Sequence, residues 1–339
     1  MTNIVVITGG GTGGHLAVAR SLIDELHNRG IKVIFIGSTK GQDKQWFENE
    51  PKLYKTYFMD TKGVVNQNIF GKFNSLFMIL KAVFKCRTIF KQYGVTKVVS
   101  VGGFSAAPAS FASIISNIDF YIHEQNSVMG KLNQITSKKA KEIFSSYDKS
   151  STIKDYPINQ KFFDNARVRK EIKTIIFLGG SQGAKAINNF ALEIAPLLVQ
   201  KDIKIIHQAG KLDFQRVQEE YKKLNIQADV FDFTTDILDK MNQADFAISR
   251  AGASTLWELS ALGLPTLYIP YPYAAANHQY FNAKFLEDDK LCFLKKEEEL
   301  NTQIFEDILK SDIEEMSKTL INTIQKDGVN KILDKILED

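Results

Sequence analysis

Two cysteines, Cys86 and Cys292, are all that 339 residues provide, and they stand too far apart for a disulfide framework or a zinc motif. The expectation is a chain held by its hydrophobic core in a reducing, cytoplasmic compartment. No run of roughly 18 apolar residues occurs, the length that a membrane-spanning helix needs. No basic segment with a cleavage site precedes the first strand-like run at 4–7, so the chain reads as one that is not exported. Any membrane contact is then peripheral. A net charge of +4 is too small to argue for nucleic acid. Acidic residues are missing altogether from 61–118, a stretch that holds seven Lys or Arg: Lys62, Lys72, Lys81, Lys85, Arg87, Lys91 and Lys97.

What is present is an alternation of apolar runs with amphipathic helical patterns, the mark of an α/β chain with parallel sheets. Strands are expected at 4–7, 33–36, 98–101, 175–178, 203–206, 246–248 and 266–269, with helix-period apolar residues at 18–26 and 186–198 between them. The halves repeat one architecture. Each opens with a strand, a glycine-rich turn and a helix, IVVITGGGTGGHLAVARSLIDEL from 4 and IIFLGGSQGAKAINNFALEIAPLL from 175. Each later has a second small-residue turn entering a helix, from 99 and from 247, and then a strand ending in a polar cluster, FYIHEQNS from 120 and TLYIPYPYAAANHQ from 266. Two Rossmann-like domains facing each other across a cleft are implied, with the polar segment 145–173 as linker. The final helix, near 329–337, is free to pack on either domain.

Glycine turns between strand and helix let backbone N–H groups approach an anion, and the helix start adds roughly half a positive charge there. Four such turns occur, at 9–14, 102–105, 179–183 and 252–254, all at carboxyl ends of strands, where open α/β sheets bind ligands. The first spells G-x-G-x-x-G through Gly9, Gly11 and Gly14. A dinucleotide site would also need an acid at the end of the second strand for the ribose. That strand ends Phe35-Ile36-Gly37-Ser38-Thr39, without one, and no P-loop pattern is present.

Taken together, GGGTGGH (9–15), GGFSAAPAS (102–110), HEQN (123–126), GGSQGA (179–184) and RAGASTLWE (250–258) resemble the MurG family, the N-acetylglucosaminyltransferases of peptidoglycan synthesis. The likeness runs in order from about residue 5 to 283. It implies a GT-B architecture, with 1–157 as an acceptor- and membrane-binding domain, completed by 328–339 if the last helix joins it, and 158–327 as the UDP-sugar-binding domain. It implies UDP-N-acetylglucosamine as donor, lipid I (undecaprenyl-pyrophosphoryl-N-acetylmuramoyl-pentapeptide) as acceptor, lipid II as product, and inversion at the anomeric carbon. It places the chain at the cytoplasmic face of the cell membrane and leaves complexes with other wall enzymes open. No D-x-D occurs, so no metal clamp for the pyrophosphate is suggested, and no cofactor is expected.

The same resemblance assigns the site. Ser181, Gln182 and Gly183, at a helix start, would hold the charge that grows on the leaving UDP. Ala253, Ser254 and Thr255 belong to the second donor turn. Glu258 would accept hydrogen bonds from the ribose diol, a task suited to an ionised carboxylate, and Phe233 and Thr234 match the segment that reads the uracil edge. Gln279 and Asn126 match donor contacts, as do Thr12, Gly13 and Gly14. His15 suits the general base that takes the acceptor proton near neutral pH; Glu124 is the second candidate, and His123 reads as structural. The sequence departs from the family at Asp155-Tyr156-Pro157-Ile158-Asn159, where Gly-Asn-Pro-Val-Arg is usual, so Asn159 is not carried over as a donor ligand. The proline usual after His15 is also absent, with Ala17 and Val18 there.

Phe73, Leu76, Phe77, Leu80 and Phe84 follow helical spacing, and Met78, Ile79 and Val83 widen the apolar face. Lys72, Lys81, Lys85, Arg87 and Lys91 flank it, with Lys62 and Lys97 extending the patch. A basic amphipathic helix of this kind fits an anionic membrane surface; the competing expectation is a core helix with a solvated basic face. Readings of another lipid-acceptor UDP-sugar transferase, of a UDP-sugar epimerase with the same architecture, and of a binding module without turnover stay open at this point.

Overall fold

A strand such as Ile4–Thr8, buried at every residue, must be covered on both faces, which is how parallel sheets are built. The computed structural model, which describes residues 4–63, 68–180, 183–234 and 236–338 with backbone alone at 69, 70 and 72, contains two such sheets. They lie in separate units, Met1–Asn159 with Lys326–Asp339, and Gln160–Gln325.

The first unit runs β1 (Ile4–Thr8), α1 (Gly13–Asn28), β2 (Lys32–Ser38), α2 (Asp43–Phe47), β3 (Lys55–Met59), α3 (Ile69–Tyr93) and β4 (Val95–Ser100). It continues through α4 (Ala107–Ile115), β5 (Asp119–Glu124), α5 (Lys131–Thr136) and β6 (Glu142–Ser145). The second runs α6 (Gln160–Asp164), β7 (Thr174–Leu178), α7 (Lys185–Gln200), β8 (Lys204–Gln208), α8 (Phe214–Lys223) and β9 (Asp229–Phe231). Then come α9 (Ile237–Gln243), β10 (Phe246–Ser249), α10 (Ala253–Ala261), β11 (Thr266–Tyr268), α11 (His278–Asp288), β12 (Phe293–Leu294), α12 (Thr302–Ile308) and α13 (Ile313–Ile321). The sheet orders, β3-β2-β1-β4-β5-β6 and β12-β11-β10-β7-β8-β9, are the same doubly wound order. The chain changes direction between β1 and β4 in one sheet and between β7 and β10 in the other, and both pairs are parallel.

The last helix, α14 (Gly328–Glu338), packs against α1 of the first unit. Arg29 of α1 reaches Asp334 at 2.5 Å and Asn330 at 2.7 Å, and Lys331 pairs with Asp155 at 2.6 Å. In the second unit the strap entering β7 is tied down by two arginines. Arg167 donates to Asp245 at 2.8 Å and to the Asn242 and Ala244 carbonyls. Arg169, fully buried, donates to the carbonyls of Arg167 and Leu262. Burial drives its guanidinium down to about 9, and carbonyls at the ends of α9 and α10 supply the acceptors that a buried cation requires.

α3 is delimited by its own sequence. The Asn68 side chain caps the start by accepting from Gly71 N–H at 2.8 Å, and Gly94, at φ 63°, ends the helix in the left-handed conformation that glycine adopts without strain.

Candidate functional site

The sheet order brings the four glycine turns together in pairs, one pair per unit, at the carboxyl edge beside each switch point. In the first unit the turn after β1 interlocks with the turn after β4. Gly10 N–H donates to the Gly102 carbonyl at 3.1 Å. A Cβ at Gly103 would strike the Gly10 carbonyl, so the two backbones touch where only glycine permits it.

His15, in the first turn of α1, lies at this junction. Its Nδ1 is 2.9 Å from the Thr12 hydroxyl. From the point where a Cβ of Gly102 would sit, His15 Nε2 is 3.3 Å away and the Asn133 side-chain nitrogen 3.4 Å. Asn133 donates in turn to Glu124 at 2.8 Å. Glu124 is buried at the end of β5 and also accepts the N–H groups of Asn126 and Gly130, each at 3.0 Å. His15, Thr12, Glu124 and Asn126 are thus neighbours along one sheet edge, with Gly13 and Gly14 forming the helix start beneath them. His123, buried against Tyr156 with ring centroids 5.4 Å apart, is pushed down to about 3 by burial and by the nearby His15. It is neutral core.

Asp43 carries no sign of function in the sequence, yet it organises this edge. Fully buried at the start of α2, it accepts from Gly11 N–H and, at 2.8 Å, from Ser38 N–H. The amides of Gly10 and Gly11 are therefore both engaged within the protein. The N-cap residue of α1, Thr12, makes no side-chain cap bond.

In the second unit, Gly179 N–H donates to the Gln208 carbonyl and a Cβ at Gly183 would meet the Ala209 carbonyl at 2.5 Å. Space above Gly180 is open. α7 begins without a side-chain cap or an acid in its first turn, and α10 likewise starts uncapped at Gly252. Two helix starts whose N-cap residues, Ala184 and Gly252, make no side-chain cap bond therefore lie at adjacent strand ends. Ser181 and Gln182 lie outside the described residues; Gly183 is the part of that motif described. Behind the turn, His207 bridges Tyr221 and Asn188 at 3.0 Å each, and Asn188 donates to the Ala209 carbonyl and to Asp213. His207, fully buried, is held at about 3 by desolvation.

Ala253 and Ser254 are buried and Thr255 is partly exposed in the first turn of α10. One turn on, Glu258 is partly exposed, and the desolvation of its carboxyl raises it to about 7. The carboxyl is thus held above the usual carboxylate range and gives up its proton less readily than an exposed glutamate would. Phe233 is exposed in the loop after β9, not core, with Lys211 over its ring at 6.0 Å, and its N–H is taken by Asp232 at 2.7 Å. The Thr234 hydroxyl accepts from Asp236 N–H. Gln279, at the start of α11, accepts the Tyr271 N–H through Oε1 at 2.9 Å. Just before it, Ala276 and Asn277 both sit in the left-handed region at φ 50° and 53°. Such strain clusters at functional loops, and AAANH gives no warning of it.

α3 presents Phe73, Phe77 and Phe84 to solvent at 70%, 69% and 57% exposure, with Leu76 and Leu80 also exposed. Lys81, Lys85, Arg87 and Lys91 are exposed around them. The core face of the same helix is separate: Ala82, Val83, Cys86, Ile89 and Phe90. Two expectations are corrected. Val83 belongs to that core face, and Lys97 is buried in β4 near Asp119 at 3.8 Å, so it does not extend the basic patch. No helix among the described residues is long and apolar enough to cross a membrane.

Two doubly wound units of identical strand order, each with paired glycine turns at its switch point, are the architecture of the GT-B glycosyltransferases. Residues 5–145 match the glycosyltransferase family 28 N-terminal domain and residues 174–336 the family 28 C-terminal domain, and the chain belongs to glycosyltransferase family 28. It is 53% identical over 336 residues, 99% of this chain and 98% of the relative, to the Campylobacter jejuni serotype O:6 UDP-N-acetylglucosamine–N-acetylmuramyl-(pentapeptide) pyrophosphoryl-undecaprenol N-acetylglucosamine transferase. A Sulfurovum protein of the same name is 52% identical, with 97% of each chain covered. Among solved structures, Acinetobacter baumannii MurG superposes with a TM-score of 0.81 at 26% identity, over 99% of this chain and 100% of that one.

Proposed function

We propose that this chain moves N-acetylglucosamine from UDP-N-acetylglucosamine to lipid I, forming lipid II with inversion at the anomeric carbon. The observation that carries the reading is the pair of glycine-turn helix starts, α7 and α10, at the carboxyl ends of the neighbouring strands β7 and β10. They occur in a chain that keeps 53% identity to a transferase named for that reaction. Departure of UDP leaves added charge on the β-phosphate. Preorganised amides at a helix start stabilise such charge without reorganising as it develops. In this reading the second unit holds the donor's nucleotide, and Thr12, Gly13, Gly14 and Asn126 of the first unit add donor contacts. Ser181, Gln182 and Gly183 lie under the diphosphate with Ala253, Ser254 and Thr255 beside it, Glu258 is on the ribose diol, Phe233 and Thr234 are at the uracil edge, and Gln279 is on the sugar.

The first unit supplies the acceptor side. With Nδ1–H donating to the Thr12 hydroxyl, the His15 Nε2 lone pair takes the proton of the attacking acceptor hydroxyl as the new glycosidic bond forms and the bond to UDP breaks. Glu124 already accepts three hydrogen bonds, so its part is to hold the loop that carries Asn126. In the same reading the enzyme works on the cytoplasmic face of the membrane, where the acceptor's lipid is anchored, and the exposed phenylalanines of α3 with Lys81 and Lys85 support that contact.

A donor panel assayed with and without a lipid-pyrophosphate acceptor tests the reading. Turnover of UDP-N-acetylglucosamine that requires the acceptor is the expected result. Acceptor-independent release of a 2-epimerised sugar would replace the transferase reading with an epimerase.

A further inference from the structure

The short helix α2 is anchored more firmly than five residues would suggest. Phe47 is buried against Phe35 of β2, with ring centroids 4.3 Å apart. Arg20 of α1 donates to the Trp46 carbonyl at 2.8 Å and pairs with Glu50 at 2.5 Å. This anchoring delivers one side chain, Asp43, into the space between two backbone segments. Its carboxylate accepts from Gly11 in the β1–α1 turn and from Ser38 at the end of β2. A Cβ on Gly10 would lie 2.6 Å from one of its oxygens and a Cβ on Gly37 2.9 Å from the other, so both neighbours are glycine where the carboxylate passes. Desolvation pushes the carboxyl above its usual range while the two amides pull it back. An acid retained at that cost is retained for the contacts it makes.

Those contacts converge on the turn that ends in Thr12 and His15. Gly10 is pinned to Gly102 and Gly11 to Asp43, and His15 starts α1 against the face of Gly102. We propose that Asp43 is a positioning residue for the transfer reaction, acting on turnover through the glycine turn that aims His15. It touches no substrate. The inference rests on the reading of His15 as the base. It adds that the carboxylate occupying Gly11 N–H sets the imidazole's place, and that its effect falls on turnover and not on UDP affinity, the nucleotide having been assigned to the other unit.

Asp43→Asn keeps the volume but turns an N–H donor toward one of the two amides. The test compares wild type, D43N, H15A and the double variant for kcat, donor KM, UDP affinity and melting temperature, on the full chain with a lipid-pyrophosphate acceptor. Displacing a catalytic group by a fraction of an ångström to 1 Å costs on the order of 10- to 100-fold. D43N should therefore lose about that much kcat, with UDP affinity within about twofold. In the H15A background the same change should add less than about twofold, as for residues acting as one unit. An impaired H15A on which D43N imposes its full loss again would overturn the proposal and leave the base reading standing. An H15A enzyme with normal turnover would overturn the base reading and the proposal with it, whereas a silent D43N, or one that acted on UDP affinity, beside an impaired H15A would overturn the proposal alone. Should D43N not fold, Asp43→Ser carries the same comparison. Failure of both to fold would make Asp43 a fold determinant and end the proposal.

Discussion

Glu124 and Asn133 are joined by a 2.8 Å hydrogen bond in which the buried carboxylate accepts from the amide nitrogen, while the same carboxylate accepts the backbone N–H groups of Asn126 and Gly130. Three donors converge on one acid, and a glutamine there would turn an N–H donor toward one of them. Leaving a buried donor unmatched costs about 1–3 kcal/mol. Glu124→Gln should lower the first thermal transition by several degrees and weaken turnover through a disordered loop, with the pH dependence of the remaining activity unchanged in shape. A fully stable E124Q enzyme without turnover would instead make Glu124 the base.

His15 has the opposite profile: partly exposed, with one ring nitrogen engaged by Thr12 at 2.9 Å. General-base catalysis contributes roughly 10²- to 10⁴-fold. His15→Ala should lose turnover in that range, and UDP titrations should give an affinity within about twofold of wild type. Thr12→Val, which frees Nδ1 from its partner, should fall between the two.

Glu258 offers a pH signature. Burial raises its carboxyl from the ordinary 4.5 to about 7, so the folded protein binds this proton more tightly than the unfolded chain does. The stability conferred is complete below pH 4.5 and is lost as pH rises through about 7. A ribose diol that donates to the carboxylate favours the ionised form, so donor binding expels the proton. UDP affinity should therefore weaken below pH 7, approaching about tenfold per pH unit well below the pKa. Glu258→Gln should flatten that profile and make the unliganded enzyme more stable than wild type at pH 8. A wild-type affinity independent of pH between 5.5 and 8 would remove Glu258 from the ribose.

Most of the architecture was legible because the interior strands are nearly uniform apolar runs and the glycine turns punctuate them. The strands that composition did not mark, β3, β6, β9 and β12, are the four edge strands. They include Lys55, Glu142 and Asp229 and a strand of two residues, because an edge strand is covered less and needs fewer apolar side chains. Asp43 was illegible for a different reason. The sequence has no carboxylate at 35–39, and the one that reaches the glycine turn arrives from the next helix, an approach visible only once Phe47 is seen packed on Phe35. Val83 and Lys97 mark the limit of periodicity. A helix apolar all round does not declare which stripe faces the sheet, and a lysine within a strand can turn toward Asp119.

In the proposed reading the α3 surface separates membrane binding from folding, because one apolar stripe is exposed and the other packs in the core. Phe77 and Phe84 are mostly exposed, so little burial is lost when they become serine. Exposed substitutions of this kind shift stability by about 0.5 kcal/mol or less. Vesicle binding should respond strongly, since each phenylalanine inserted into a bilayer interface contributes apolar burial that serine cannot replace. Phe77→Ser with Phe84→Ser should therefore release the enzyme from anionic vesicles at an unchanged melting temperature. Lys81→Ala with Lys85→Ala should weaken binding by about 1 kcal/mol per charge removed, and only on anionic vesicles at low salt. Turnover with a short, water-soluble acceptor analogue should survive all four changes, because the helix then has no surface to find. Cys86→Ser, on the buried stripe of the same helix, provides the contrast: it should lower stability and leave vesicle affinity of the folded fraction intact. Loss of stability from the phenylalanine pair comparable to that from Cys86 would show that the outer stripe is covered by protein and not by lipid.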